Sequence, residues 1–347
     1  MYCIEVPMEK KITIYTLAEE LQMTPSAVSR AFNPNTKLDP EKRKRILEAA
    51  DRYGFRPNRM ASRLSMDTVR IGILIYGGFY PFYQKIEEGI RAAHTRLADY
   101  KIECDMRILP REEYSPEDCS VVLQEFVQKE YGGVIVCGLY DMNILKIVSD
   151  SSSKLVSVHY PLPREMCLFS SVHSFSTAGQ MAADILQICG RKRILLFTGD
   201  QSSVVHSRIR DSFLKQAEIC HIQITEICDY PETMKNWSET AENYIAEKKG
   251  RFDGIYITTG RSIDICRAVK KQYASGEITV IATDIYPEIT EYIEDGIVSA
   301  CLFQNQYAQA EKAFEILAKY LIERMDIPED SELTPLFISR SNYRKYL

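Results

Sequence analysis

Residues 24–33 read Thr-Pro-Ser-Ala-Val-Ser-Arg-Ala-Phe-Asn, and their polar groups recur at helical spacing. Thr24 followed by Pro25 is a helix start, a capping hydroxyl and then a proline whose missing N–H costs nothing there. On the helix so begun, Val28, Ala31 and Phe32 share one stripe, while Pro25, Ser26, Ser29 and Arg30 share another. Short polar side chains let a helix backbone sink into the DNA major groove, and Arg reaches guanine O6 and N7 as a bidentate fork. The helix N-terminus with Thr24 also suits a phosphate. The competing reading of the stripe is the solvated face of a small helical domain. A second string, RPNRMASRLS at 56–65, sets Leu64 in an arginine-rich turn with no evident core. An apolar wedge flanked by Arg suits insertion into a minor-groove base step. A linker residue resting on the next domain is the alternative, and for this string in isolation it is the stronger one.

These groups need elements to hold them. IYTLAEELQ carries Leu17, Ala18 and Leu21 at helical spacing, then comes the helix from Pro25, then a third over PEKRKRILEAADRYGF. The third helix is expected to turn Ile46, Leu47, Ala50 and Tyr53 inward and to close at Gly54. Two short helices around a tight turn with a third behind them make a helix-turn-helix domain over residues 1–57. Residues 58–68, opened by Asn58, form a hinge too short to be a stable helix alone. From residue 69, apolar runs alternate with amphipathic stretches: VRIGILI, ECDMRIL, GGVIVC, KLVSV, RILLF, IQITEI, DGIYIT, ITVIA and VSACLF. Continuous apolar strands alternating with helices indicate parallel sheets covered on both faces. This stretch is too long for one core, so residues 69–347 are expected to form two α/β lobes, divided near Pro161–Arg164. The first lobe takes about 69–162 and 303–327, the second about 163–302 and 328–347.

The 347-residue chain has a net charge of −5. Residues 1–66 hold 12 Lys and Arg against 8 Asp and Glu, or +4; the remainder holds 31 against 40, or −9. A basic head on an acidic body implies an anionic partner for the head only. The ten cysteines and five histidines are scattered, with no C-x-x-C and no zinc spacing, so free thiols in a reducing cytoplasm are expected, with no metal and no cofactor. No apolar run reaches the length of a membrane span, and no secretory signal is expected from the first residues. A nucleophile elbow, a P-loop and a Rossmann G-x-G-x-x-G are all missing, so no catalytic residues are assigned and an enzyme is not expected.

T-I-Y-x-x-A at 13–18, A-V-S-R-x-x-N at 27–33, Gly54-Phe55-x-Pro57-Asn58, Ala61, Leu64 and Ile71-Gly72-Ile73 together resemble the LacI/GalR family of transcriptional repressors over essentially the full length. The resemblance implies a small all-α helix-turn-helix head and a two-lobed α/β body of the type I periplasmic-binding-protein kind with parallel sheets. It implies a homodimer on pseudo-palindromic double-stranded operator DNA, controlled by a small polar effector such as a sugar or sugar derivative. Pro25, Ser26 and Arg30 stand where the family reads bases, Ser29 and Asn33 where it touches phosphate, and Asn58, Arg59, Ala61 and Leu64 at its hinge contacts. In the body it places Phe79, Phe82 and Tyr83 near the cleft between lobes and matches Asp284 and Gln304 to the family's effector contacts. Thr259 stands where relatives often carry Asn, and Trp237 where some stack a ring on the sugar, although a single Trp is as often core. Arg208 lies one residue out of register from the family arginine, which leaves Arg210 as its alternative, and Ser174 replaces a frequent Asp. Gln22 stands in the turn where the family often has Gly, and Pro25 cannot hydrogen-bond a base edge, which leaves apolar contact such as with a thymine methyl. A solute-binding protein of a transport system shares the body but not the head, and a regulator controlled by a partner protein is the remaining alternative.

Overall fold

Thr13, Thr24 and Asp39 are the residues that start the three helices of the head: α1 (Ile14–Glu20), α2 (Pro25–Ala31) and α3 (Pro40–Arg52). The computed structural model describes residues 13–32, 36, 38–53, 55, 68–78, 80–229, 236–328 and 332–347. The Thr24 hydroxyl accepts from the Ala27 N–H at 3.2 Å, and the Asp39 carboxylate accepts from the Lys42 N–H at 3.0 Å. Each cap satisfies a backbone donor that the helix itself leaves open. Leu17, Ala18, Leu21, Val28, Ala31, Ile46, Ala49, Ala50 and Phe55 form the head's core. Leu47 and Tyr53 do not join it: they are 42% and 40% exposed, and Ala49 is buried in their place. Small side chains let α3 lie close to its neighbours, so the buried stripe is narrower than the apolar pattern suggested. Gln22 adopts φ +52° in the turn before α2, a conformation that glycine takes more easily. Gly54, read as the stop of α3, lies outside the described residues.

The body begins at β1 (Val69–Gly77) and builds two sheets. In the first, the order is β2–β1–β3–β4–β5, with β2 (Ile102–Pro110), β3 (Gly133–Cys137), β4 (Lys154–Val158) and β5 (Phe169–Ser171), all parallel. In the second, the order is β11–β10–β9–β8–β6–β7, from β6 (Arg193–Thr198), β7 (Gln223–Asp229), β8 (Gly254–Ile257), β9 (Thr279–Thr283), β10 (Ala300–Phe303) and β11 (Leu336–Ile338). Only β11 runs antiparallel to its neighbour in that sheet. All nine apolar runs form strands; β5 and β11, three residues each, are additional. Because β5 pairs with β4, the chain leaves the first lobe after Ser171 and not near residues 161–164. Two further crossings occur, one between Phe303 and Gln306 and the other between Glu323 and Leu336.

The helices are α4 (Tyr80–Arg96), α5 (Pro116–Gln128), α6 (Met142–Ser149), α7 (Phe175–Ile188), α8 (Val204–Ile219), α9 (Trp237–Glu247), α10 (Ser262–Gln272), α11 (Thr290–Glu294) and α12 (Gln306–Glu323). Although α12 follows a second-lobe strand, it packs on α4 and the first sheet. Gly89 makes that approach possible, since a Cβ there would collide with the Tyr307 carbonyl. We expect Gly89→Ala to lower stability by about 1–3 kcal/mol, the usual cost of overpacking. Urea midpoints check it, and an unchanged midpoint would mean that α4 and α12 sit farther apart.

Candidate functional site

In the head, Pro25, Ser26, Ser29 and Arg30 are all exposed, whereas Val28 and Ala31 on the other side of α2 are buried. The expected polar stripe is therefore an accessible surface. The Arg30 Nε donates to the Ser26 carbonyl at 3.4 Å, which leans the guanidinium back along α2. Thr36 donates to the Arg30 carbonyl at 2.6 Å and receives Arg43 on its own carbonyl at 2.7 Å, tying the end of α2 to α3. Asn33, Asn58, Arg59, Ala61 and Leu64 lie outside the described residues.

Open α/β sheets bind ligands beyond the carboxyl ends of their strands, so the residues that come just after the strands of the body are the candidates. Asp284 follows β9 in the left-handed region, φ +64°, and is 1% exposed. Its Oδ1 accepts from the Gln304 N–H at 2.9 Å, and its Oδ2 accepts from Gln304 Nε2 at 2.6 Å and from the Tyr286 hydroxyl at 3.2 Å. Burial pushes the carboxyl up to about 6, and the bonds from Gln304 and Tyr286 offset part of that. The carboxylate, expected to meet the effector directly, is thus occupied by the crossing segment. Gln304 continues the chain of bonds: its carbonyl accepts from Gln309 Nε2 at 2.8 Å, and the Gln309 carbonyl accepts from the Ser171 hydroxyl at 2.7 Å. The Gln304 Oε1 is buried with no partner among the described residues.

The other expected residues divide. Phe82 and Tyr83 are half-buried, with Phe82 edge-on to Tyr83 at 5.1 Å and to His159 at 4.6 Å. Phe79 lies outside the described residues. Thr259 is buried, and its hydroxyl accepts from the Arg261 N–H at 3.3 Å. Trp237, expected as a stacking platform, is 4% exposed and packed in the second-lobe core, with the Arg261 guanidinium 5.7 Å from its ring centre. A large ring at the first position of α9 is where that core needs volume. Arg208 is exposed on α8, while Arg210 pairs with Asp211 at 3.3 Å. Ser174 caps α7.

Several residues at this seam had no motif to mark them. Arg111, just after β2, donates to the Gly138 carbonyl and lies 4.9 Å from the Tyr76 ring centre and 5.3 Å from that of Tyr140. Gly138 has φ +79°, and a Cβ there would strike the Tyr76 carbonyl. Tyr140 stacks on Tyr160 at 4.3 Å, and Tyr160 packs against the cores of both lobes. The one available signal was position, since Arg111, Gly138, Tyr140 and Tyr160 follow strand carboxyl ends and Tyr76 stands near the end of β1. Among the described residues, no cluster of His, Cys, Asp or Glu is placed to hold a metal ion, and no helix is long and apolar enough to cross a membrane.

A family model described as periplasmic binding protein domain matches residues 71–324. Catabolite control protein A of Staphylococcus epidermidis is 27% identical over 192 residues, which cover 55% of this chain and 56% of that protein. The chain therefore spans little more than half of that relative's length. Catabolite control protein A of Staphylococcus xylosus is 25% identical over 337 residues, covering 93% and 96%. A crystal structure of the Lac repressor dimer bound to operator and the anti-inducer ONPF superposes with a TM-score of 0.64 at 16% identity, covering 95% of this chain and 98% of that one. At that identity the likeness is one of fold. The two-lobed parallel architecture and the family resemblance read from the sequence are both borne out.

Proposed function

The chain belongs to the periplasmic binding protein domain family, and from that premise we propose that it is a sequence-specific DNA-binding transcriptional regulator, a repressor whose operator affinity is set by an effector between its lobes. The observation that carries this is the exposed stripe of Pro25, Ser26, Ser29 and Arg30 on a capped helix of a basic head. In this reading a cytoplasmic homodimer places two such helices in successive major grooves of a pseudo-palindrome. Arg30 forks onto a guanine, Ser29 and Asn33 hold phosphate, and the hinge residues Asn58, Arg59, Ala61 and Leu64 work in the minor groove between half-sites. The effector is a carbohydrate or derivative. Gln304, Phe82 and Tyr83 face it, Thr259 and Arg208 stand at the second-lobe side, and Asp284 acts through Gln304. The names of the relatives support the regulator reading, since a Lac repressor shares the fold.

Selection of bound sequences from a random duplex library tests the proposal. The recovered consensus is expected to be a palindrome with half-site centres about one helical turn apart. Affinity for it should fall steeply with salt, because each phosphate neutralised by Lys or Arg releases a counterion. A log–log salt slope near zero would remove DNA binding as the function.

Leu64 supplies a sharper expectation. As a wedge it opens a base step at an unstacking cost of a few kcal/mol, recovered through the contacts of a bent duplex. Leu64→Ala should then weaken operator binding and reduce the bend, with Leu64→Met milder and the melting temperature unmoved. Were Leu64 a linker residue packed on the body, alanine would lower the melting temperature and leave the bend as it is.

A further inference from the structure

His159 and His173 are fourteen residues apart in sequence, and the pairing of β4 with β5 brings them together. The His159 N–H donates to the Ser171 carbonyl at 2.8 Å, and the two imidazoles stack at 5.8 Å with an 18° tilt. They are the middle of a ladder of rings. Tyr83 meets Phe82 at 5.1 Å, Phe82 meets His159 at 4.6 Å, and His173 meets Phe175 at 4.5 Å. The ladder runs from the first turns of α4 in the first lobe to the first residue of α7 in the second. His173 has no exposed surface, yet neither of its ring nitrogens has a partner among the described residues; nor has Nδ1 of His159. A buried polar group without a partner is costly, so such groups call for an explanation. More lie at the next crossing: the Oε1 atoms of Gln304, Gln306 and Gln309 and the Nε2 of Gln306. Gln309 links the crossings, because its carbonyl holds Ser171 and its amide holds Gln304.

We propose that His159 and His173 form the floor of the effector site and take hydroxyl groups of an uncharged effector when the lobes admit it. This rests on the regulator reading given above. Burial strips the rings of water and keeps them neutral: His159 is pushed down to about 3 and His173 well below its usual range. A neutral imidazole offers one donor and one acceptor, the same pair a hydroxyl offers. The glutamines of the crossing add three amide oxygens and one amide donor, the Nε2 of Gln306, so the floor as a whole asks for groups that both donate and accept, as hydroxyls do. A phosphate or carboxylate gains no cation from it. The carboxylate beside Gln304 belongs to Asp284, and Arg111 is already committed to the Gly138 carbonyl and two tyrosine rings.

The test uses the full chain with a panel of uncharged pentoses and hexoses and their phosphates, read by thermal shift and then by calorimetry. His173→Phe keeps a flat ring and removes both nitrogens. His159→Asn suits the left-handed backbone at that position, φ +70°. An uncharged sugar should raise the wild-type melting temperature more than its phosphate does, and each variant should lose at least tenfold in affinity for it. Without sugar, His173→Phe should melt at the wild-type temperature or above it. Wild-type affinity in His173→Phe overturns the inference. So does a ligand-free melting temperature several degrees below wild type, since the nitrogens would then have partners within the protein. Should no sugar shift the wild type, the carbohydrate reading fails, and the ligand-free comparison still decides whether the nitrogens await a ligand.

Discussion

Asp284→Asn is expected to abolish the effector response by turning the Gln304 amide around. The carboxylate compels Gln304 to present Nε2 to it, because two acceptors cannot face each other, and so the Oε1 acceptor is left for the effector site. An asparagine whose Oδ1 keeps the Gln304 N–H presents its own Nδ2 where Oδ2 was. Gln304 must then offer Oε1 to it and turn its donor outward. A ligand donor meeting a donor forfeits about 2–3 kcal/mol, or roughly 30–150-fold in affinity. The double variant Asp284→Asn with Gln304→Glu restores an acceptor at both places, and affinity for the sugar found by thermal shift should return in part. Wild-type affinity in the single variant, or no recovery in the double, would sink this account. A pH arm needs no effector. Asp284 has its carboxyl raised from 3.8 to about 6, so folding takes up a proton in that window. At pH above 6 the buried charge costs on the order of 3 kcal/mol, and this cost fades as pH falls from 6 towards 4. The wild type should gain that stability on acidification while Asp284→Asn does not, which paired melts at pH 4.5 and 7.5 measure.

That network also marks where sequence reading stops. The central strands were legible because covered strands need apolar runs, and the edge strands β2 and β7, only partly buried, still carry enough apolar residues to be picked out. β5 was not, since Phe169-Ser170-Ser171 has one apolar residue and only its pairing with β4 makes it a strand. Missing it moved the lobe boundary by about ten residues. Asp284 and Gln304 could be singled out in the sequence but the bonds between them could not, because a carboxylate's bonds depend on the crossing segment twenty residues away. His159 and His173 had no spacing to betray them, as their meeting is a product of strand pairing. Trp237 was open between a sugar platform and the core, and the structure packs it in the second-lobe core. In the head, the stripe on α2 was legible outright, since over seven residues helical period alone decides which side faces the core.

Residues 67–347 expressed alone should fold, keep the effector site and lose sequence-specific DNA binding altogether. The physical case rests on separate cores and separate charge. Among the described residues, the head's core is built from residues between Ile14 and Phe55, and the buried apolar residues of the body run from Ile71 onward. The chain also divides into two compact units, Met1–Thr68 with Asp99–Lys101, and the remainder from Val69. The body without the head carries −9, so it offers no counterion release and repels the duplex. Loss of the reading helices removes the specific term as well, which is typically 10³-fold or more above nonspecific binding. The reciprocal fragment, residues 1–66, should recover specific binding when joined in pairs through a foreign dimer, but with no response to sugar, because the effector site stays with the body. Fluorescence anisotropy on the selected duplex, with melting of each fragment as the folding control, measures both. Specific binding retained by residues 67–347 would place the DNA-reading surface in the body and contradict the assignment of α2.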